Sequence, residues 1–294
     1  MHGKVVVITG ATSGIGQAAA EKLAAMGARI VLVARDKARA ETTLAHLREV
    51  GPRAAPTVHY ADLLRLSEMK RVAAEIASAE PRIDVLINNA GALFARRHLT
   101  EDGLEYTFAL NHMSYFVLTH QLLDRLRASA PARVVNTASD AHEAATLDFE
   151  DLQSAEAYRN SGILEWLRFG GPGFKVYGRS KLCNILFTRE LARRLAGAGV
   201  TANSLHPGFV ATRFGDQSGG LISFSIKVAK RFALSSEKGA ETLVYLASSQ
   251  EVVAASGGYY YKCGLTVPSR RALDDDAARR LWAESAKLAA LQED

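Results

Sequence analysis

The chain has 294 residues, 48% of them apolar and 23% charged, and its 36 Lys and Arg against 31 Asp and Glu leave a net charge of +5. That length and balance suit a globular protein with a sizeable core and exclude a disordered chain. The cationic excess is scattered over pairs such as Arg96/Arg97, Arg193/Arg194, Arg270/Arg271 and Arg279/Arg280, which reads as a solvated surface and argues against a nucleic-acid partner.

No run approaches the about 18 apolar residues of a membrane span, and a first strand starting at Lys4 leaves no room for a signal peptide. Cys183 and Cys263 stand far apart, without Cys-x-x-Cys or Cys/His spacing. Neither a disulfide framework nor a metal site is therefore expected, and a cytoplasmic location follows. No linker-like stretch divides the chain, so one domain over residues 1–294 is expected.

Lys4 to Gln17 reads KVVVITGATSGIGQ. Val5 to Ile8 is a β-branched run of the kind that forms a strand buried on both faces of a parallel sheet. From Ile15 the pattern turns helical through Ala18, Ala19, Leu23 and Met26. The turn between, Thr9-Gly10-Ala11-Thr12-Ser13-Gly14-Ile15-Gly16, places glycines where side chains would block a pyrophosphate, at the positive end of a helix.

Arg29 to Ala34 is a second buried strand, and Asp36 caps a helix through about Arg48. An NAD-binding fold carries an acidic residue for the ribose 2′-hydroxyl about 20 residues beyond the glycine loop. Arg35 stands there instead, and its guanidinium suits a 2′-phosphate, so NADP(H) is favoured over NAD(H). Thr57 to Tyr60 makes a third strand, ending at Asp62-Leu63, and a helix runs from about Ser67 to Ser78. Asp84 to Ile87 is the fourth strand and leads into Asn88-Asn89-Ala90-Gly91. The amides there can tie loops together while Ala90 and Gly91 permit close approach of a cofactor. A helix from Glu101 to about Arg127 contains Asn111, an amide in apolar surroundings that needs a partner or a task.

Arg133 to Ala138 is the fifth strand, with Ser139 at its carboxyl end, where open parallel sheets bind ligands. Residues 140–176 form a long connection whose Trp166, Leu167, Phe169 and Phe174 need cover, in a substrate pocket or at a partner surface. In Tyr177-Gly178-Arg179-Ser180-Lys181 the spacing puts Tyr177 and Lys181 on one helical face. An ammonium beside a phenol stabilises the phenolate and is expected to lower its pKa, which makes a general acid/base. Val200 to Leu205 is a sixth strand followed by His206-Pro207-Gly208; His206 has no second ligand at metal spacing and reads as structural. Leu221, Phe224, Val228 and Phe232 recur at helical spacing, Ser235 to Ser248 is another helix, and Gly258 to Tyr261 a final short strand. The tail carries Ala278, Leu281, Trp282, Ser285, Leu288 and Ala289 on one helical face.

Taken together, Thr9 to Gly16, Asn88 to Gly91, Asn111, Ser139, Tyr177, Lys181 and Pro207-Gly208-x-x-x-Thr212 resemble the short-chain dehydrogenase/reductase family over about residues 3–262. Ala34-Arg35-Asp36, Phe149 to Gln153, Ser180 to Leu195 and Leu281-Trp282 look like its retinol dehydrogenase-like branch. The resemblance implies an α/β fold, a doubly wound Rossmann-type domain of about seven parallel strands with helices on both faces. Its cofactor half would span about residues 1–140 and its catalytic and substrate region about 139–294.

It further implies that Tyr177 exchanges a proton with the substrate oxygen, Ser139 orients that oxygen, and Lys181 holds the nicotinamide ribose and assists Tyr177. Asn111 would kink its helix and support a proton relay. Cofactor contacts are expected from Gly10, Thr12, Ser13, Gly14, Ile15, Gly16, Arg35, Asp62, Leu63, Asn89, Ala90, Gly91, Tyr177, Lys181, Pro207, Gly208, Val210 and Thr212, with Asp62 beside the adenine. The substrate is a small alcohol or carbonyl compound of apolar character, approached through the region of Leu221 to Phe232, and a homo-oligomer is compatible with the pattern. Two other readings remain at this stage, a dinucleotide-sensing regulator without turnover and a sugar-nucleotide epimerase or dehydratase.

Overall fold

The computed structural model describes residues 1–51, 55–159, 171–208 and 235–292. The strands are β1 (Val5–Thr9), β2 (Arg29–Ala34), β3 (Thr57–Tyr60), β4 (Val85–Asn88), β5 (Ala132–Thr137), β6 (Val200–Leu205), β7 (Tyr259–Tyr261) and β8 (Gly264–Thr266). They form one sheet in the order β3-β2-β1-β4-β5-β6-β7-β8. The first seven run parallel; β8 pairs antiparallel with β7, Tyr260 opposite Leu265. That eighth strand was not expected from the sequence. It is a short hairpin return whose Gly264 and Leu265 are exposed, so it lacks the buried apolar run that marks β1 and β2.

The main helices are α1 (Gly14–Ala25), α2 (Lys37–Val50), α3 (Leu66–Ala79), α4 (Ser114–Ala128), α5 (Pro172–Arg194), α6 (Glu241–Ser248) and α7 (Asp275–Ala289). Alternate strand residues feed two separate cores. Val6, Ile8, Ile30, Leu32, Ile87 and Val135 meet α1, α2 and α6 on one face. Val7, Val31, Leu86, Val134 and Ala202 meet α3, α4, α5 and α7 on the other. A sheet covered on both faces explains why β1, β2 and β4 carry near-continuous apolar runs. Among the described residues, no helix is long and apolar enough to cross a membrane.

Two element boundaries differ from the sequence reading. The helix expected from Glu101 begins at Tyr106, where the Glu105 carboxylate accepts the Phe108 N–H as a cap, and residues 99–105 close a small bridge between Leu99 and Glu105. The expected connection of residues 140–176 contains 3-10 turns at Asp140–Ala144 and Phe149–Asp151 and a short helix at Ala155–Arg159, and α5 already starts at Pro172. Proline fits the first helical position because its missing N–H would have had no partner there. Gly171 before it takes a φ of +108, a conformation that favours glycine.

Candidate active site

β1 has β2 on one side and β4 on the other, so the chain order reverses between β1 and β4. A crevice opens outside the carboxyl ends of strands at such a point, and ligands bind there in open α/β sheets. The glycine loop sits at this place. Gly10 has a φ of +68, and a Cβ on it would lie 2.7 Å from Ala90 Cα. A Cβ on Gly16 would lie 2.3 Å from the Gly10 carbonyl oxygen and 2.4 Å from Asn89 Nδ2. Ser13 occupies the N-cap of α1 but makes no side-chain cap hydrogen bond, and the first turn holds no acidic residue. The N–H groups of that turn are thus left for an anion, and the bare glycine cradle fits a pyrophosphate against them. Thr12 and Ser13 flank these groups, and Ile15 packs its side chain on the core below.

The start of the loop after β4 is tied to the start of the glycine loop. Thr9 Oγ1 accepts the N–H groups of Asn89, at 3.0 Å, and Ala90, at 2.9 Å. Asn89 Nδ2 donates to the carbonyls of Thr9 and Gly10, both at 3.2 Å. Asn88 turns the other way and is buried, donating to Thr119 and Asn136.

Asn111 lies in a π-helical segment, Ala109–Met113, that joins the turn Tyr106–Phe108 to α4. An extra residue in one turn is a local distortion often found at functional positions, and it agrees with the expected kink. The amide is fully used: Oδ1 accepts the Ala92 N–H at 2.9 Å, and Nδ2 donates to Ala92 O and to Ser180 Oγ, both at 3.0 Å. A Cβ on Gly91 would lie 3.2 Å from Asn111 Oδ1 and 3.4 Å from Lys181 Nζ. The absence of a side chain there lets the two polar groups face one narrow space.

Lys181 Nζ donates to the Thr137 carbonyl at 2.9 Å, and the same oxygen accepts Asn184 Nδ2 at 3.1 Å. The ammonium stands 5.5 Å from the centre of the Tyr177 ring. Burial lowers the Lys181 pKa to about 7. Burial likewise raises the Tyr177 phenol above its ordinary value; the Ser139 hydroxyl, hydrogen-bonded to it, opposes that shift and the Asp140 carboxylate adds to it. This is the opposite of the lowering expected from the Tyr-x-x-x-Lys spacing, because desolvation of the phenol is the largest influence on it. Ser139 also donates to Asp140 Oδ1 at 3.0 Å and accepts the Ala141 N–H.

Arg35 is exposed at the end of β2, its Nη1 3.9 Å from Asp62 Oδ1. Asp36 is turned to its own helix, where it accepts the Arg39 N–H. Asp62 accepts the Leu64 N–H, and Leu63 buries its side chain in the core. Pro207 and Gly208, the latter at φ +79, follow β6 on the same side of the sheet. His206 stacks on Tyr261 at 4.0 Å, a structural role as expected. Val210, Thr212, the stretch Leu221 to Phe232 and the group Trp166, Leu167 and Phe169 lie outside the described residues. Phe174 is described, 6.4 Å from the Tyr177 ring.

Sequence reasoning missed the residues that hold the others in place. Thr137 offers only its backbone carbonyl, Asn184 reads as one more polar residue of a helix, and His142 lies 127 residues from its partner Ser269. Gly178 was legible as a glycine inside the Tyr177 helix. Its reason is spatial: a Cβ there would lie 2.6 Å from the Ala141 carbonyl oxygen.

A family model described as short chain dehydrogenase matches residues 4–149. Human Retinol dehydrogenase 14 is 41% identical over 302 residues, covering 96% of this chain and 85% of that protein. Human Retinol dehydrogenase 13 is 39% identical over 295 residues, covering 99% and 86%. Among solved structures, an uncharacterized protein from Mycobacterium Paratuberculosis superposes with a TM-score of 0.75 at 31% identity, over 100% of this chain and 96% of that one. The Pseudomonas aeruginosa RhlG/NADP active-site complex gives a TM-score of 0.67 at 27% identity, over 88% and 94%.

Proposed function

The chain belongs to the short-chain dehydrogenase/reductase family and is an oxidoreductase of CH–OH groups, and from that premise we propose that Tyr177 is its general acid/base and NADP(H) its preferred cofactor. The observation that carries the reading is the convergence of Ser139, Tyr177 and Lys181 beside the glycine cradle. Ser139 follows β5 by two residues and bonds the Tyr177 phenol, while Lys181 is fixed to Thr137 at the end of that strand.

A bound nicotinamide dinucleotide supplies the hydride or accepts it. In the reducing direction the buried Tyr177 phenol, neutral by virtue of its raised pKa, gives its proton to the substrate oxygen as the carbonyl carbon becomes tetrahedral. The Ser139 hydroxyl donates to that oxygen as negative charge develops on it, a contact worth more in the transition state than in the ground state. Lys181, when charged, offsets the phenolate that Tyr177 leaves behind, and Asn111 fixes the loop at Ala92 that faces Lys181. The pyrophosphate would be held by the backbone of Gly10 to Gly16 with Thr12 and Ser13, and the ribose by Lys181 and the Asn89 to Gly91 loop. Oxidation of an alcohol uses the same groups in reverse.

NADP(H) preference rests on Arg35 standing exposed at the end of β2, with Asp62 no nearer than 3.9 Å and Asp36 engaged in capping α2. Arg35→Asp should shift preference towards NAD(H) by at least tenfold in kcat/KM, because it replaces a charge-assisted pair with repulsion. Equal kcat/KM for the two cofactors in the unaltered protein would refute the assignment. Tyr177→Phe keeps the ring packing and removes the proton; kcat should fall at least a hundredfold with cofactor affinity nearly unchanged. The substrate is an apolar aldehyde or ketone, or the matching alcohol. Phe174 next to Tyr177 supports this, and NADPH oxidation over an aliphatic aldehyde series and polar sugars tests it. Rates that climb with chain length are expected, whereas a preference for sugars would overturn the apolar reading.

A further inference from the structure

The turn that carries Ser139 is gripped from two sides. On one side Gly178 of α5, next to Tyr177, lets the Ala141 carbonyl approach the helix backbone. On the other stands His142, fully buried. Its Nδ1 lies 2.7 Å from the Ser139 carbonyl oxygen and its Nε2 3.1 Å from the Ser269 backbone nitrogen. A carbonyl only accepts and a backbone N–H only donates, so these two contacts call for the proton on Nδ1 and the lone pair on Nε2; the Glu143 carboxylate, 3.4 Å from Nε2, is the one neighbour among the described residues that pulls the other way. The ring stands edge-on to Tyr259 of β7, 5.1 Å between centres. It thus bridges the end of β5 to the segment that follows β8, two parts of the chain joined by no strand pairing.

We propose that His142 is a positioning residue for Ser139: its imidazole pins the Ser139 carbonyl to the Ser269 backbone so that the serine hydroxyl stays aimed at Tyr177. This rests on the reading of Ser139 as the group that orients the substrate oxygen. Ser139 is where a strand gives way to a 3-10 turn, its φ and ψ being -164 and 155. The hydroxyl direction there depends on the backbone, and the backbone at that point has two bonds to His142, from its ring and, at 3.3 Å, from its N–H. Misplacing a catalytic contact by about 1 Å costs up to a hundredfold in rate. A histidine that only filled space would not act through Ser139.

The test is a double-mutant cycle on the full chain with NADPH and an aldehyde that it reduces. His142→Phe keeps the ring against Tyr259 and removes both polar contacts; kcat should fall about tenfold, with NADPH affinity and KM changed less than about twofold. His142→Asn, whose amide can still donate to the Ser139 carbonyl, should recover part of the loss. Ser139→Ala should be slow by itself, and adding His142→Phe to it should cost little more, since the contact that His142 positions is already gone. Equal fold losses from His142→Phe with and without Ser139 would overturn the proposal. Nitrogen-15 resonances of the histidine rings in the unaltered protein give a readout that needs neither turnover nor a variant that folds. A protonated Nδ1 and a bare Nε2 are expected for His142, and a proton on Nε2 would overturn the clamp. If the unaltered protein reduces no carbonyl, the proposed reaction fails, while those resonances still judge the clamp.

Discussion

Burial acts on Tyr177 and Lys181 in the same sense, disfavouring the charged form of each, and so moves their pKa values in opposite directions. For Lys181 this has a consequence for stability. Its folded pKa of about 7 lies below the ordinary 10.5, so between those values the unfolded chain binds more protons than the folded one. The contribution of Lys181 to stability then rises with pH across that window, and the destabilising cost of its buried ammonium is fully present only below it. Lys181→Met has no proton to lose. The difference in urea-unfolding free energy between the unaltered protein and this variant should change by a few kcal/mol across the window, in favour of the lysine at the alkaline end. The same difference measured at both ends of the window and found constant would show that Lys181 titrates normally.

Elements whose side chains are buried on both faces were legible from sequence, and those fixed by distant partners were not. β1 and β2 announce themselves as runs such as Val5 to Ile8 because both faces of the sheet are covered. The glycine loop was legible for a related reason: Gly10 and Gly16 are backbone against backbone, a demand that only glycine meets. Asn111 could be singled out as an amide needing a partner, but its partners Ala92 and Ser180 could not be named, and the π-helical segment around it has no sequence period. The start of α5 at Pro172 was hidden by the glycines around it. Gly16→Ala tests the loop as a unit. The added methyl meets the Gly10 carbonyl and the Asn89 amide together, so it must spread α1 from the loop after β4. A loss of about 1–3 kcal/mol in stability and a fall in NADPH affinity of at least tenfold are expected, read by thermal unfolding and by NADPH fluorescence. Unchanged affinity would mean that the cradle does not approach the pyrophosphate.

Across the whole molecule, the two cores meet different needs. The face covered by α1, α2 and α6 carries the glycine loop, whereas the other face stacks α4 and α5 under the reacting groups and then closes them with α7. Trp282 of α7 stacks on Phe187 of α5 at 5.8 Å and meets Phe116 of α4 edge-on at 5.0 Å, with the Arg194 guanidinium 4.4 Å from its ring centre. Ser285, one turn on, reaches His112 at 2.8 Å beside the π-helical segment. His112 is neutral, since burial lowers its pKa to about 3 and only the Asn184 amide opposes the shift. The tail helix therefore clamps the back of the catalytic helix through Phe187 and Arg194, and the π-helical segment through His112. The buried indole nitrogen of Trp282 has no hydrogen-bond partner among the described residues, so the residue contributes through packing and through the Arg194 cation over its ring. Trp282→Ala should cost about 3–5 kcal/mol, lowering Tm by roughly 10 °C at this chain length. Trp282→Phe should recover most of it. Because the loss falls behind α5, the kcat of the molecules that remain folded should stay within about twofold of the unaltered value. A fall in kcat at a temperature where circular dichroism still shows the variant fully folded would mean that packing of the tail reaches through α5 to Tyr177.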